Sequence, residues 1–169
     1  GIRRFIVDNE FDLNMLLQFV EKKQWSIELL LRMRLKENTI HTGKHFVYGL
    51  FAKQVNTLIP ELRKNPLIKR LGVHFHRKTQ NVSEWSLKYE LEDALSEETL
   101  KNIDVINIGG GIPSVYKNYR PGIFKNISEK ITELRSWLNK QNIKMIIEPG
   151  RFIAAPTAKL EAEIVNIYN

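Results

Sequence analysis

The chain has 169 residues, 43% of them hydrophobic, enough for one buried core, so a single domain is the expectation. Its net charge of +7 is spread along the chain with no basic run longer than two, which favours solvated helix faces over a nucleic-acid surface and stays compatible with a phosphate-bearing ligand. There is no cysteine for disulfides or thiolate metal sites, no run of 18 apolar residues to span a bilayer, and no signal-like stretch in Gly1-Ile2-Arg3-Arg4-Phe5; a cytoplasmic setting with no membrane partner is expected.

Arg4 to Val7 reads as a short strand, Asp8 as an N-cap, and Phe11, Leu13, Leu16, Leu17 and Val20 as the apolar face of a helix ending in Lys22-Lys23. Ser26 to Leu35 predicts a longer strand, buried through Leu29-Leu30-Leu31, with Arg32 and Arg34 on one side. A turn over Glu37 to Lys44 leads to a helix spanning roughly Tyr48 to Lys64, which Pro60 should kink or end early. Arg70 to His76 is the next strand. Ser83 to Leu95 is helical, and Ser96-Glu97-Glu98 caps a further short turn. Ile103 to Ile108 is strand, Ser114 to Gly122 loop, Ile123 to Asn139 a helix with Ile127, Ile131, Leu134 and Leu138 on one stripe, and Ile143 to Ile147 a short buried strand. The tail, Ala158 to Tyr168, alternates apolar and polar like a strand of a different sheet.

Strand and helix alternate four times before the fifth strand and the tail, which argues an α/β chain with a parallel sheet and helical crossovers, barrel or open. Three strand ends carry chemistry-bearing residues, and a barrel whose loops converge on one mouth explains this most simply. Beyond the last strand lies Glu148-Pro149-Gly150-Arg151-Phe152, a carboxylate and an arginine around a turn. After an earlier one comes Ile108-Gly109-Gly110-Gly111-Ile112-Pro113, glycines that let backbone N–H groups approach an anion. The third, His74-Phe75-His76-Arg77-Lys78-Thr79-Gln80, brings two histidines and a hydroxyl. By themselves these also read as a salt bridge, a plain turn and a satisfied core histidine.

Taken together and in this order, the three motifs resemble those of the fold-type III (alanine-racemase-like) pyridoxal-phosphate-dependent decarboxylases of ornithine, diaminopimelate, arginine and carboxynorspermidine. The His74 segment is similar to the family's H-x-H-x-G-S-Q, the glycine segment to I-G-G-G-F-P and the Glu148 segment to E-P-G-R-Y. The resemblance implies a partial (β/α)8 TIM barrel over 1–157, about strands four to eight, and over 158–169 a strand leading towards a missing β-domain. It implies pyridoxal 5'-phosphate as cofactor and removal of the α-carboxylate of a basic amino acid, of the ornithine-like polyamine branch or diaminopimelate. A non-catalytic homologue serving as a binding or regulatory protein is the alternative.

By resemblance, Glu148 faces the pyridine nitrogen, His76 lies over the ring, Arg32 sits in the floor of the active site, and Thr79 keeps a hydroxyl for the cofactor. Gly109, Gly110 and Gly111 supply phosphate donors, with Gly150 and Arg151 closing around them. Val47 replaces a family lysine and Lys78 a glycine. The family's Schiff-base lysine lies on a strand upstream of everything matched, and its catalytic cysteine lies in the second domain. The chain therefore reads as a central fragment, inactive alone, of a protein expected to be a homodimer.

Overall fold

Five short apolar runs form strands β1 (Arg4–Val7), β2 (Ile27–Arg32), β3 (Ile68–His74), β4 (Val105–Asn107) and β5 (Lys144–Ile146) in a computed structural model that describes residues 1–35, 48–77, 85–114, 122–157, 159 and 161–167. Every neighbouring pair is parallel and the sheet order follows the chain order, β1-β2-β3-β4-β5. A doubly wound sheet reverses its strand order at a switch point; here each crossover steps the same way, as in a segment of a (β/α) barrel. The α/β expectation with a partial barrel is met, while the numbering of the strands as four to eight rests on resemblance alone.

Helices α1 (Glu10–Lys23), α2 (Ala52–Arg63), α3 (Leu87–Ala94), α4 (Glu97–Lys101), α5 (Ile123–Asn139) and α6 (Gly150–Ala154) lie between and after the strands. No helix among the described residues is long and apolar enough to cross a membrane. One face of the sheet, including Leu29, Leu31, Leu71, Val73 and Ile106, packs with Leu13, Val20, Val55, Ile59, Leu91, Ile127, Leu134 and Leu138 of the helices into one core. Strand alternation turns the intervening residues to the opposite face. That face is layered by register: Glu28 beside Arg70, Leu30 beside Gly72 and Val105, then Arg32 beside His74 and Asn107. The centre of its middle layer is dry, with Leu30 and Val105 fully buried between exposed Ile6 and Lys144 at the two edges, and its last layer is polar and sits at the C-terminal strand ends.

Local chemistry shifts several boundaries. The N-cap of α1 is Asn9, whose Oδ1 accepts the Asp12 N–H at 2.9 Å, while Asp8 accepts from the Asn9 side chain. β2 gives way after Arg32 to an isolated parallel bridge between Met33 and Leu50, and the pairing of Leu50 delays α2 to Ala52. Pro60 neither ends nor shortens α2 at its own position. It sits within the final turn, where it removes a single rung, and buried Val55, Ile59 and Leu62 hold the helix in place. β3 ends at His74, which leaves His76 in the following loop. Buried Arg77 in that loop pairs with Glu90 of α3 and anchors the chain there. Residues 161–167, where a strand is expected, are exposed and join no ladder among the described residues.

Gly72 marks how closely β3 and β4 approach on the layered face. A Cβ there would lie 2.2 Å from the Val105 carbonyl oxygen and 2.6 Å from its Cγ1, so no side chain fits without parting the strands. Gly72→Ala is expected to destabilise the fold by about 2 kcal/mol in chemical denaturation, the cost of overpacking a close-packed layer. An unchanged midpoint would mean that the strands can separate at no cost.

Candidate functional site

Three polar side chains interrupt apolar strands at one level. Arg32 ends β2, His74 ends β3 and Asn107 ends β4, and the parallel register makes them neighbours in that order. The line continues to Ile146 in β5, and Glu148 follows two residues later, the spacing that returns a side chain to the same face. The Asn107 and His74 side chains are buried, whereas Glu148 and His76 are about two-fifths exposed. The group is thus walled on one side and open on the other.

Glu148 is at its centre. Its Oε1 accepts a hydrogen bond from Asn107 Nδ2 at 2.8 Å, and its Oε2 lies 3.9 Å from both His74 Nε2 and His76 Nδ1. The Glu148 backbone N–H donates to the Gly109 carbonyl at 2.8 Å, tying the last strand end to the glycine turn. A Cβ on Gly109 would come within 2.5 Å of the Phe75 oxygen, and one on Gly110 within 2.9 Å of the Glu148 oxygen. These two glycines are required because three loops meet here with no room for a side chain.

His74 faces Glu148 and Arg32 from within the protein. Burial pushes its pKa down from 6.5 to about 4, with the Arg32 and His76 charges adding to the effect and Glu148 opposing it. It is therefore neutral at physiological pH, and its Nδ1 is buried with no hydrogen-bond partner among the described residues. His74, His76 and Glu148 each offer a ligand atom within 4.8 Å of the others, a spacing that also suits a divalent cation.

Of the residues singled out from sequence, the structure brings together His76, Gly109, Gly110 and Glu148, with Arg32 next to His74. Gly109 departs from its expected role. Its N–H is donated to Asn107 Oδ1 at 2.9 Å, so it shapes the turn instead of presenting a donor. The Gly110 N–H makes a long bond of 3.3 Å to His76 Nδ1, and Gly111 follows with a φ of 95°. Gly150 and Arg151 open α6 after Glu148 and its N-cap Pro149, with Arg151 exposed. Thr79 lies outside the described residues, as do Val47 and Lys78. Asn107 was not anticipated as a functional residue. Its signal was a lone amide in an apolar strand two residues before a glycine, the spacing at which an Asn side chain bonds the backbone ahead of it.

Between pH 6.5 and about 4 the unfolded chain carries a proton on His74 that the folded chain lacks, so folding stability rises with pH across this window. The contribution is complete above pH 6.5 and is lost towards pH 4, about 3 kcal/mol in all. Denaturation curves of the wild type and His74→Asn, measured across this range, should diverge by that slope; parallel curves would show that His74 is not buried neutral.

The lysine/ornithine decarboxylase of Vibrio vulnificus, complexed with putrescine, is similar at 26% identity and a TM-score of 0.63, over 92% of this chain and 40% of that one. The fold is shared with the diaminopimelate decarboxylase of Helicobacter pylori complexed with L-lysine, at 18% identity and a TM-score of 0.66 over 88% of this chain and 40% of that one. It is shared too with the arginine decarboxylase of Paramecium bursaria Chlorella virus bound to agmatine, at 19% identity and a TM-score of 0.61 over 90% and 41%. The chain spans about two-fifths of the length of these structures. No curated protein sequence matches it. Residues 1–155 match the family model described as "Pyridoxal-dependent decarboxylase, pyridoxal binding domain", and the chain belongs to that family.

Proposed function

We propose that the whole polypeptide is a pyridoxal-phosphate-dependent decarboxylase of a basic amino acid and that this chain forms the greater part of its cofactor-binding site. The observation that carries the reading is Glu148, one oxygen held by Asn107 and the other turned to two histidines, beside a glycine turn in a chain of the pyridoxal-dependent decarboxylase family. The residues fit the group: a fixed carboxylate, an exposed imidazole, a turn that excludes a Cβ, and an exposed arginine. When bound, pyridoxal phosphate supplies an electron sink for the pair released as the bond from Cα to the carboxylate breaks.

Glu148 would hold a proton at the ring nitrogen, which a neutral side chain would do far less firmly. His76 would lie against one face of the ring. Gly111 would offer its backbone N–H to the phosphate, Gly110 could do so on giving up its long bond to His76, and Arg151 beside Gly150 would close around it with a charge-assisted fork. Arg32, at the end of β2 beside His74, keeps a positive charge in the floor of the site for an anionic group of the substrate. The substrate class is supported by similar structures carrying putrescine, agmatine and L-lysine, all amines. An ornithine-like substrate and diaminopimelate both fit this half of the site.

Residues 1–157 correspond in this reading to barrel strands four to eight, and 158–169 lead towards a β-rich domain. Among the described residues β1 and β5 each leave one sheet edge unpaired, with Ile2 and Ile6 exposed at the first, as expected where further barrel strands dock. The Schiff-base lysine then precedes Arg4, and the parent works as a cytoplasmic homodimer.

Two measurements test this. Borohydride reduction of the pyridoxal phosphate complex followed by mass analysis should place a stoichiometric adduct on a lysine outside residues 1–169 of the whole polypeptide; full, specific modification of one lysine within the chain would overturn that assignment. Glu148→Gln should weaken pyridoxal phosphate binding about tenfold or more, as expected for a lost charge-assisted hydrogen bond, and change the bound-state absorbance. Unchanged affinity and spectrum would mean that Glu148 does not meet the ring nitrogen and would favour a non-catalytic homologue that serves as a binding or regulatory protein.

A further inference from the structure

The hydrogen bonds around Glu148 close on themselves. The Gly109 N–H donates to Asn107 Oδ1 at 2.9 Å, Asn107 Nδ2 donates to Glu148 Oε1 at 2.8 Å, and the Glu148 N–H donates to the Gly109 carbonyl at 2.8 Å. Each of the three residues gives one bond and receives one. Asn107 is 3% exposed, so both ends of its amide are satisfied inside the protein with no water needed. An amide of this length accepts from a backbone N–H on one end and donates to a carboxylate on the other at any pH, which a carboxyl group does only while it is protonated.

We propose that Asn107 is a positioning residue that locks the Glu148 carboxylate and the glycine turn into one rigid unit. The proposal rests on the functional reading above, since those two elements are the ends that would grip the ring nitrogen and the phosphate. With Oε1 tied to Asn107, Glu148 has one orientation and presents Oε2 on the side of His74 and His76. With its N–H taken by Asn107, Gly109 holds a left-handed φ of 63°, which sets the course of Gly110 and Gly111. A ligand with a basic ring nitrogen and a phosphate would meet both grips already in place, and the ordering cost would have been met on folding.

Asn107→Asp keeps the size and the bond to Gly109 but sets a carboxyl against Glu148 at hydrogen-bond distance. Two carboxyls so close share one proton. At low pH the protonated Asp replaces the amide donor; at higher pH both ionise, repel and open the cycle. The probe is pyridoxine 5'-phosphate, which has the ring nitrogen and phosphate but no aldehyde, so its binding does not depend on a Schiff-base lysine. Calorimetric titration should give a variant-to-wild-type ratio of dissociation constants within about threefold at pH 5.5, rising to about tenfold or more at pH 8.5. Adding Glu148→Gln to Asn107→Asp reverses the bond, amide now donating to carboxylate, and should remove this pH dependence of the ratio.

A ratio near one at both pH values, or a ratio independent of pH, would overturn the role of Asn107 and leave the functional reading standing. If the wild type binds neither pyridoxine 5'-phosphate nor inorganic phosphate, the functional reading fails and the positioning role with it. Should Asn107→Asp not fold, amide exchange in the wild type decides. The Gly109 N–H should exchange about a hundredfold more slowly than an unstructured glycine, and exchange at the unstructured rate would overturn the proposal.

Discussion

Parallel pairing fixes which side chains of β2, β3 and β4 stand next to each other, and the candidate site depends on that register. Arg32, His74 and Asn107 come from strands more than thirty residues apart in sequence, yet share one level on one face because each strand enters the sheet in the same direction and at a matching offset. A slip of one residue would turn all three into the helix-packed core and bring Leu31, Val73 and Ile106 to the site. The layer below, with Leu30, Gly72 and Val105, guards against this. Its centre is dry and so tight at Gly72 that the backbone of β4 leaves no space for a methyl group.

Above that layer the chemistry changes abruptly. A buried neutral histidine, a buried amide and a half-exposed carboxylate lie within a few ångströms, and burial alone accounts for much of the contrast between them. His74 loses its proton because its charged form is poorly solvated. Glu148 stays in reach of solvent, with one oxygen anchored and one open. Such a gradient from dry to wet across one strand layer suits the handling of a charged ligand at the mouth of a barrel.

The glycines belong to the same logic. Gly109 and Gly110 resemble an anion cradle in sequence, and in the structure they are first of all the points where the loops after β3, β4 and β5 touch. The N–H of Gly109 is spent inside the protein, and Gly110 and Gly111 follow from the turn it makes. Packing thus fixes the course of the turn before any ligand is considered.

Local pattern was enough to identify the five strands, α5 to its last residue, the cap at Ser96 and the three motifs beyond strand ends. Hydrophobic period and capping chemistry act over a few residues, and they are written in the chain. Pattern could not tell that α2 waits until Ala52, which depends on Leu50 pairing with Met33, or that Pro60 would be carried by buried neighbours on either side. Nor could it single out Asn107 or say whether His74 serves the core or the site. The sequence by itself determined the α/β alternation and the residue types at the mouth. The register of strands far apart in the chain, and with it the contact of Asn107 with Glu148, was decided only in three dimensions, because it is set by how crossover helices pack and not by any neighbouring residue.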